Sequence, residues 1–262
     1  MTEVKTSQAS SRLRSAALTS IGDEGRAELV ATRLIQTISA GAFVQGERLP
    51  AETELAELLG VAIITVREAL STLRERGWIH TRRGRHGGSF VRPSHAELLL
   101  LNSQALSRMP RLELADLGVH YQAISSACAE YACQRATPAE LNAALETLEA
   151  ISHDVAPQTW RRQITDVQLE LAALSQSVRL TNQYIQVHTE CIPLFSLQDN
   201  DAAQRRETHE LLVQRVQATL AGNEPRVREI VATDVQQTIR WLIAYRSELI
   251  ESPGAPADFS LR

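Results

Sequence analysis

The chain has 262 residues, 44% of them hydrophobic, with 27 Lys plus Arg against 31 Asp plus Glu and a formal net charge of −4. That length suits two domains, each with a core of its own. The longest apolar run, Leu98 to Leu101, is far too short for a membrane span, and Cys128, Cys133 and Cys191 are too scattered for a disulfide frame or a CxxC zinc knuckle.

In chain order, residues 1–23 are polar and rich in Ser and Thr, without the apolar stretch of a secretion signal, and read as a flexible N-terminus of a cytoplasmic protein. From Glu24 to Ala40, apolar residues at Ala27, Val30, Leu34, Ile35 and Ile38 predict a helix. A second helix is predicted from Ala51 to Leu59, with Glu52 and Glu54 near its N-terminus, where carboxylates complement the helix dipole. Gly60 supplies a turn, and Val66, Ala69, Leu70 and Leu73 mark a third helix from Ile63 to Arg76, closed at Gly77. Two short helices across a tight turn form a DNA-reading unit, in which the N-terminal part of the second enters the major groove. Thr65 and Arg67 lie in that part. Two strand-like runs, at 78–81 and 89–91, flank a basic, glycine-rich tip suited to phosphate or minor-groove contact.

The charge distribution agrees. Residues 26–92 hold ten Arg against seven Glu, whereas residues 93–262 hold fourteen Arg against twenty-one acids. Between Gly77 and His95 there are four Arg, three His and no acid, and local clustering of this kind governs phosphate binding more than the whole-chain value.

Pro93 and Ser94 suggest a short connector, 93–96, leading into a new helix. Beyond it, amphipathic spacing predicts helices over 112–135, 138–153, 161–178, 181–197, 202–221 and 225–250, with Pro193 expected to bend or split the fourth. The resulting fold class is mainly α: a winged helix-turn-helix at 24–92 with a small two-stranded wing, then an all-α bundle of six or seven helices at 97–251, with residues 252–262 as a flexible tail. A bundle of this kind can enclose a ligand pocket between its helices.

The segments GERLPAETELAELLGV and TVREALSTLRERGWI, with the Gly-rich hairpin ending in SFV, resemble the DNA-binding domain of GntR-family transcription regulators over nearly all of residues 26–92. The helical remainder resembles the FadR-type C-terminal effector domain, FCD, through ACAEYACQRAT, DVQLE, RLTNQYI and ETHELLVQRVQATLAGNEPRVREIVATD. The resemblance implies a homodimer, no enzyme, that binds a palindromic double-stranded operator as a repressor and responds to a small-molecule effector, often an organic acid. It places Thr65 and Arg67 on the recognition helix and Arg83, Gly84 and Arg85 on the wing as DNA contacts. Thr53 stands where the family usually has Arg, and Ala62-Ile63 where a Ser-Arg or Thr-Arg pair is usual. Bidentate Arg is the best reader of guanine, so the operator should differ from the family's common one. Ile63 and Ile64 either touch thymine methyls or are merely tolerated at the helix edge.

Many relatives hold a divalent metal in the effector domain through Asp and His four residues apart and one His from each of two later helices. Here Asp166 matches the Asp, Glu170 stands for the first His, His209 is the candidate for the second and Asp234 stands for the third. Asp166 and Glu170 share a helical face, and the oxygen-rich set suits Mn, Mg or Ca more than Zn. The plain alternative is a solvated acidic face and a packed histidine, in which case Arg205 or Arg206 is expected near the acids. Tyr121, with His120 beside it, lies where relatives commonly place an Arg that meets an acidic effector. Two other functions are compatible with the chain: a constitutive DNA-binding protein with a degenerate effector domain, and a metal-dependent hydrolase built on the same four residues.

Overall fold

The computed structural model of the protein describes residues 25–84 and 87–251, so Arg85 and the two termini lie outside the described residues. Ten helices and one two-stranded sheet are present among them. The chain divides into two compact units, residues 1–101 and 102–262, and the division falls inside a single helix, His95–Arg108.

The first unit opens with α1 (Arg26–Ser39), which buries Val30, Ala31, Leu34 and Ile38. Then come α2 (Glu52–Leu59) and α3 (Ile63–Glu75), whose buried faces carry Leu55, Ala56 and Leu59 on one helix and Val66, Ala69, Leu70 and Leu73 on the other. Gly60 joins them at φ 65°, a left-handed backbone that glycine adopts without a Cβ clash. After Gly77, also at positive φ, β1 (Ile79–Arg82) pairs antiparallel with β2 (Gly88–Val91) in the register Ile79 to Val91 and Arg82 to Gly88. Ile79 and Val91 are buried and fasten the base of this hairpin to the helical core. Arg48 adds an isolated antiparallel bridge to Phe90.

Helix α4 (His95–Arg108) starts at a reciprocal cap: the Glu97 amide donates to Ser94 Oγ while the Ser94 amide donates to Glu97 Oε2 at 2.6 Å. In the second unit follow α5 (Arg111–Arg135), α6 (Pro138–Glu149), α7 (Pro157–Ala173), α8 (Val178–Phe195), a single 3₁₀ turn at Ser196–Gln198, α9 (Ala202–Leu220) and α10 (Glu224–Glu251). Thr137 and Glu140 form a capping box at the head of α6, with Pro138 in its first turn. Asp201 caps α9 by accepting from the Ala203 amide at 2.7 Å.

Pro193 neither splits α8 nor ends it, since the helix runs through to Phe195. The proline sits in the last turn, where few intrahelical bonds remain to be lost. Helix α7 begins four residues before the predicted start and ends five before the predicted end, because Pro157 at its first turn favours initiation. Helices α5 and α10 pack closely, and a Cβ on Gly118 would meet Ile239 Cγ1 at 2.7 Å. Cys128 and Cys191 are buried free thiols, as expected of small apolar fillers, while Cys133 is half-buried.

Two adjacent stripes on α7 organise the second unit. Trp160, Ile164, Val167 and Leu171 enter an apolar cluster with Leu141, Ala144 and Leu148 of α6 and Leu212 and Val216 of α9. One residue round the helix, Arg161, Thr165 and Gln168 are also buried, at the same i, i+4, i+7 spacing, and they form a polar interior.

Candidate nucleic-acid interface and interior cavity

At the head of α3, Ile63 is 38% exposed and Ile64 61% exposed, an unusual cost for large apolar side chains in the first turn of a helix whose inner face is well packed. Arg67 projects one turn later and its Nε donates to Glu52 Oε2 of α2 at 2.6 Å. Thr65 is half-buried and Thr53 is exposed. The recognition helix is tied to the hairpin by Arg74, whose Nε donates to Thr81 Oγ1 at 3.0 Å. A groove between α2, α3 and the hairpin is lined by Arg48, Glu52, Thr53, Arg74, Thr81 and Ser89.

The wing carries Arg83 and Gly84 exposed near its tip, with Gly84 at φ 105°. Gly87 donates its amide to the Gly84 carbonyl at 2.8 Å, and a Cβ there would sit 2.5 Å from the Arg82 carbonyl oxygen. The tip is thus built on a backbone approach that only glycine permits. Arg82 lies over the Phe90 ring at 4.6 Å, a cation–π contact that holds one positive charge on the hairpin face.

Between its helices the second unit holds a small cavity of about 10 Å³, room for about one water molecule, lined by Tyr121, Arg161, Gln168, Phe195, Gln198, Thr208, Asp234, Val235 and Thr238. Arg161 is buried and donates through Nε to Asp199 Oδ2 at 2.8 Å, through Nη2 to Asp199 Oδ1, and through Nη2 again to the Phe195 carbonyl at 3.1 Å. Burial alone would lower the guanidinium's affinity for its proton, but Asp199 outweighs that and raises it. Burial pushes the Asp234 carboxyl up to about 6, with Arg215 and Arg161 pulling it back.

Next to the cavity, Tyr121 Oη lies 3.0 Å from Tyr184 Oη and 2.9 Å from His188 Nδ1. All three rings stack or tilt on one another. Burial, reinforced by Arg161 and Arg215, pushes the His188 imidazole down to about 3, so the ring is neutral at physiological pH. A base held below its ordinary 6.5 destabilises the fold in acid, because the unfolded chain takes up a proton that folded His188 refuses. Stability tied to His188 is therefore complete above pH 6.5 and is lost as pH falls towards 3. His188→Gln is expected to flatten the acid limb of the stability profile by up to about 1.4 kcal/mol per pH unit. Urea titrations at several pH values check this, and parallel profiles for the two proteins would refute it.

The structure distributes the other sequence-derived candidates widely. Tyr121 walls the cavity, but His120 beside it is exposed. Asp234 lines the cavity, whereas Asp166 and Glu170 lie on a partly exposed face of α7, and Arg161 and Gln168 are the residues of that helix that line it. His209 Nε2 is 2.9 Å from the Leu148 carbonyl, and its ring meets that of His153 edge-on at 4.9 Å. Arg205 donates to the Val155 carbonyl at 3.0 Å and Arg206 is exposed. The basic groups that act on Asp234 are instead Arg161 and Arg215. Among the described residues no three His, Cys, Asp or Glu side chains come together in a group that could hold a metal ion. With guanidinium charges bearing on its one carboxylate, the cavity's donor set does not fit a divalent cation. Arg161, Gln168, Asp199, Tyr184, His188 and Arg215 escaped the sequence reading, although the polar i, i+4, i+7 stripe on α7 was a visible signal.

Residues 26–91 match the family described as bacterial regulatory proteins, gntR family, and residues 116–237 match the FCD domain. The chain is 37% identical over 168 residues to a protein of Mycobacterium gastri named as the HTH-type transcriptional regulator RmpR, a match covering 64% of this chain and 61% of that protein. It therefore spans about three-fifths of the length of that curated relative. It is 46% identical over 52 residues to the fatty acid metabolism regulator protein of Edwardsiella ictaluri, covering 20% of this chain and 22% of the other. Among solved structures, E. coli McbR/YncC aligns with 85% of this chain and 99% of its own at 22% identity and a TM-score of 0.49. No helix among the described residues is long and apolar enough to cross a membrane.

Proposed function

We propose, for a chain that joins a gntR-family DNA-binding domain to an FCD domain, a ligand-responsive transcriptional regulator of the FadR type. It acts as a homodimer that represses from a palindromic operator and is no enzyme. The observation that carries this reading is the head of α3: Ile63, Ile64 and Arg67 stand exposed on the helix that a helix-turn-helix presents to the major groove. Arg83 and Gly84 add the backbone contact of the wing, and the FCD-type helical bundle is the unit in which a small effector binds between helices.

Apolar side chains at Ile63 and Ile64 cannot read guanine, but they suit the thymine 5-methyl group. Selection of binding sites from random duplexes with the full chain should yield one palindrome, with affinity that falls steeply as salt rises. Replacing thymine by deoxyuridine at the selected positions should weaken binding, since only the methyl group is removed. Failure to enrich any sequence would refute the regulator reading, and indifference to the methyl groups would refute the part given to Ile63 and Ile64.

A further inference from the structure

We infer that the groove between α2, α3 and the wing seats one phosphate of the operator backbone in each half-site, held jointly by Arg48 and Arg74 with the hydroxyls of Thr81 and Ser89. The inference rests on the DNA-binding reading above and adds to it a contact that carries no base sequence.

The groove has a volume of about 350 Å³, against roughly 30 Å³ for one water, and so admits a phosphate together with its sugar. Arg48, Arg74, Thr81 and Ser89 all line it. Arg74 stands seven residues after Arg67 on α3, on nearly the same face and ~10 Å further along the axis. When the head of α3 lies in the major groove, its later turns leave that groove, and the bounding phosphates pass between those turns and the wing. Arg74 Nε donates to Thr81 Oγ1 at 3.0 Å, a neutral partner that fixes the guanidinium without cancelling its charge. Thr81 accepts in that bond and keeps its own proton to give. The register of β1 with β2 sets Thr81 directly opposite Ser89, so the two hydroxyls share one face of the hairpin. Arg48 crosses the hairpin where the strand has no side chain: a Cβ on Gly88 would stand 2.6 Å from Arg48 Nε. Among the described residues no carboxylate forms an ion pair with Arg48 or Arg74. Glu52 also lines the groove, but Arg67 meets it at 2.6 Å. Two guanidinium charges therefore remain for an anion, and their planar donor forks suit phosphate oxygens.

The test measures fluorescence anisotropy of the full chain on its selected operator and on a duplex with scrambled bases, across a salt series. Arg48→Gln with Arg74→Gln should weaken both duplexes alike, by roughly fivefold per half-site at about 0.15 M salt, and should lower the salt slope by about one per half-site. Arg74→Lys keeps the charge and should keep the slope. Both side chains are exposed, so an unchanged melting temperature verifies that each variant is folded. Neutral methylphosphonate linkages, placed singly along the operator, should reveal one position per half-site that weakens wild type, and both single variants should be blind to that same linkage. Inorganic phosphate without DNA, at constant ionic strength, should leave the wild-type melting temperature where it is. An unchanged slope, a loss confined to the operator, different linkages for the two arginines, or a phosphate-induced shift that the double variant abolishes would each overturn the inference. If the double variant keeps wild-type affinity for an enriched palindrome, only this seat falls; if no palindrome is enriched, the regulator reading falls with it.

Discussion

Asp199→Ala is expected to destabilise the helical unit by about 3–5 kcal/mol, the cost of leaving a buried guanidinium without its counter-charge. Arg161 is buried, with its guanidinium carbon 5.3 Å from the centroid of the buried Trp160 ring. With Asp199 gone it retains a bond to the Phe195 carbonyl, which satisfies one donor but none of the charge. The matched control is Arg161→Met with Asp199→Leu, which removes both charges at similar volume and should recover most of the loss, since apolar replacement of a whole buried pair is often neutral or better. Chemical denaturation followed by helical circular dichroism reads both. A single variant within about 1 kcal/mol of wild type, the ordinary range for exposed ion pairs, would show that water reaches Arg161.

The second large effect concerns DNA. Arg67→Ala is expected to weaken operator binding by about 1–3 kcal/mol, roughly 5- to 150-fold, if Arg67 makes a bidentate base contact. In the free protein this side chain leans on Glu52, an exposed ion pair worth little to stability, so the loss falls on binding and leaves the melting temperature nearly unchanged. The contact type is separable: a base contact relaxes sequence preference at one position, whereas a phosphate contact weakens all sequences alike and lowers the salt slope by about one. Glu52→Ala frees Arg67 and should bind at least as tightly as wild type. Wild-type affinity for Arg67→Ala would mean that α3 does not enter the groove as drawn.

Much of the DNA-binding half was legible because its signals are local. The turn at Gly60, the stop at Gly77, the apolar stripe of α3 and the Arg/Gly tip each depend on residues a few positions apart, and each shapes the backbone where it stands. The effector half was legible as helices but not as a site. Asp166 and Glu170 have correct chelating spacing along a helix, but spacing alone does not say which way the pair faces. Moving two residues, from Asp166 to Gln168, turns roughly 200° about the axis at 3.6 residues per turn, and that rotation separates the partly exposed face from the cavity wall.

The sequence by itself determined the order of the elements, the recognition helix with its exposed Ile63, Ile64 and Arg67, and the helical character of everything after the wing, because periodicity and glycine placement act through the nearby chain. Only the tertiary structure decided that Arg161 and Gln168 of α7 and Asp234 of α10 converge on one cavity, with Asp199 from the turn after α8 paired to Arg161, while His209 turns to the Leu148 carbonyl. Convergence of that kind depends on how helices pack and rotate against one another, and on the need of each buried charge to find its partner. Neither leaves a mark in local spacing.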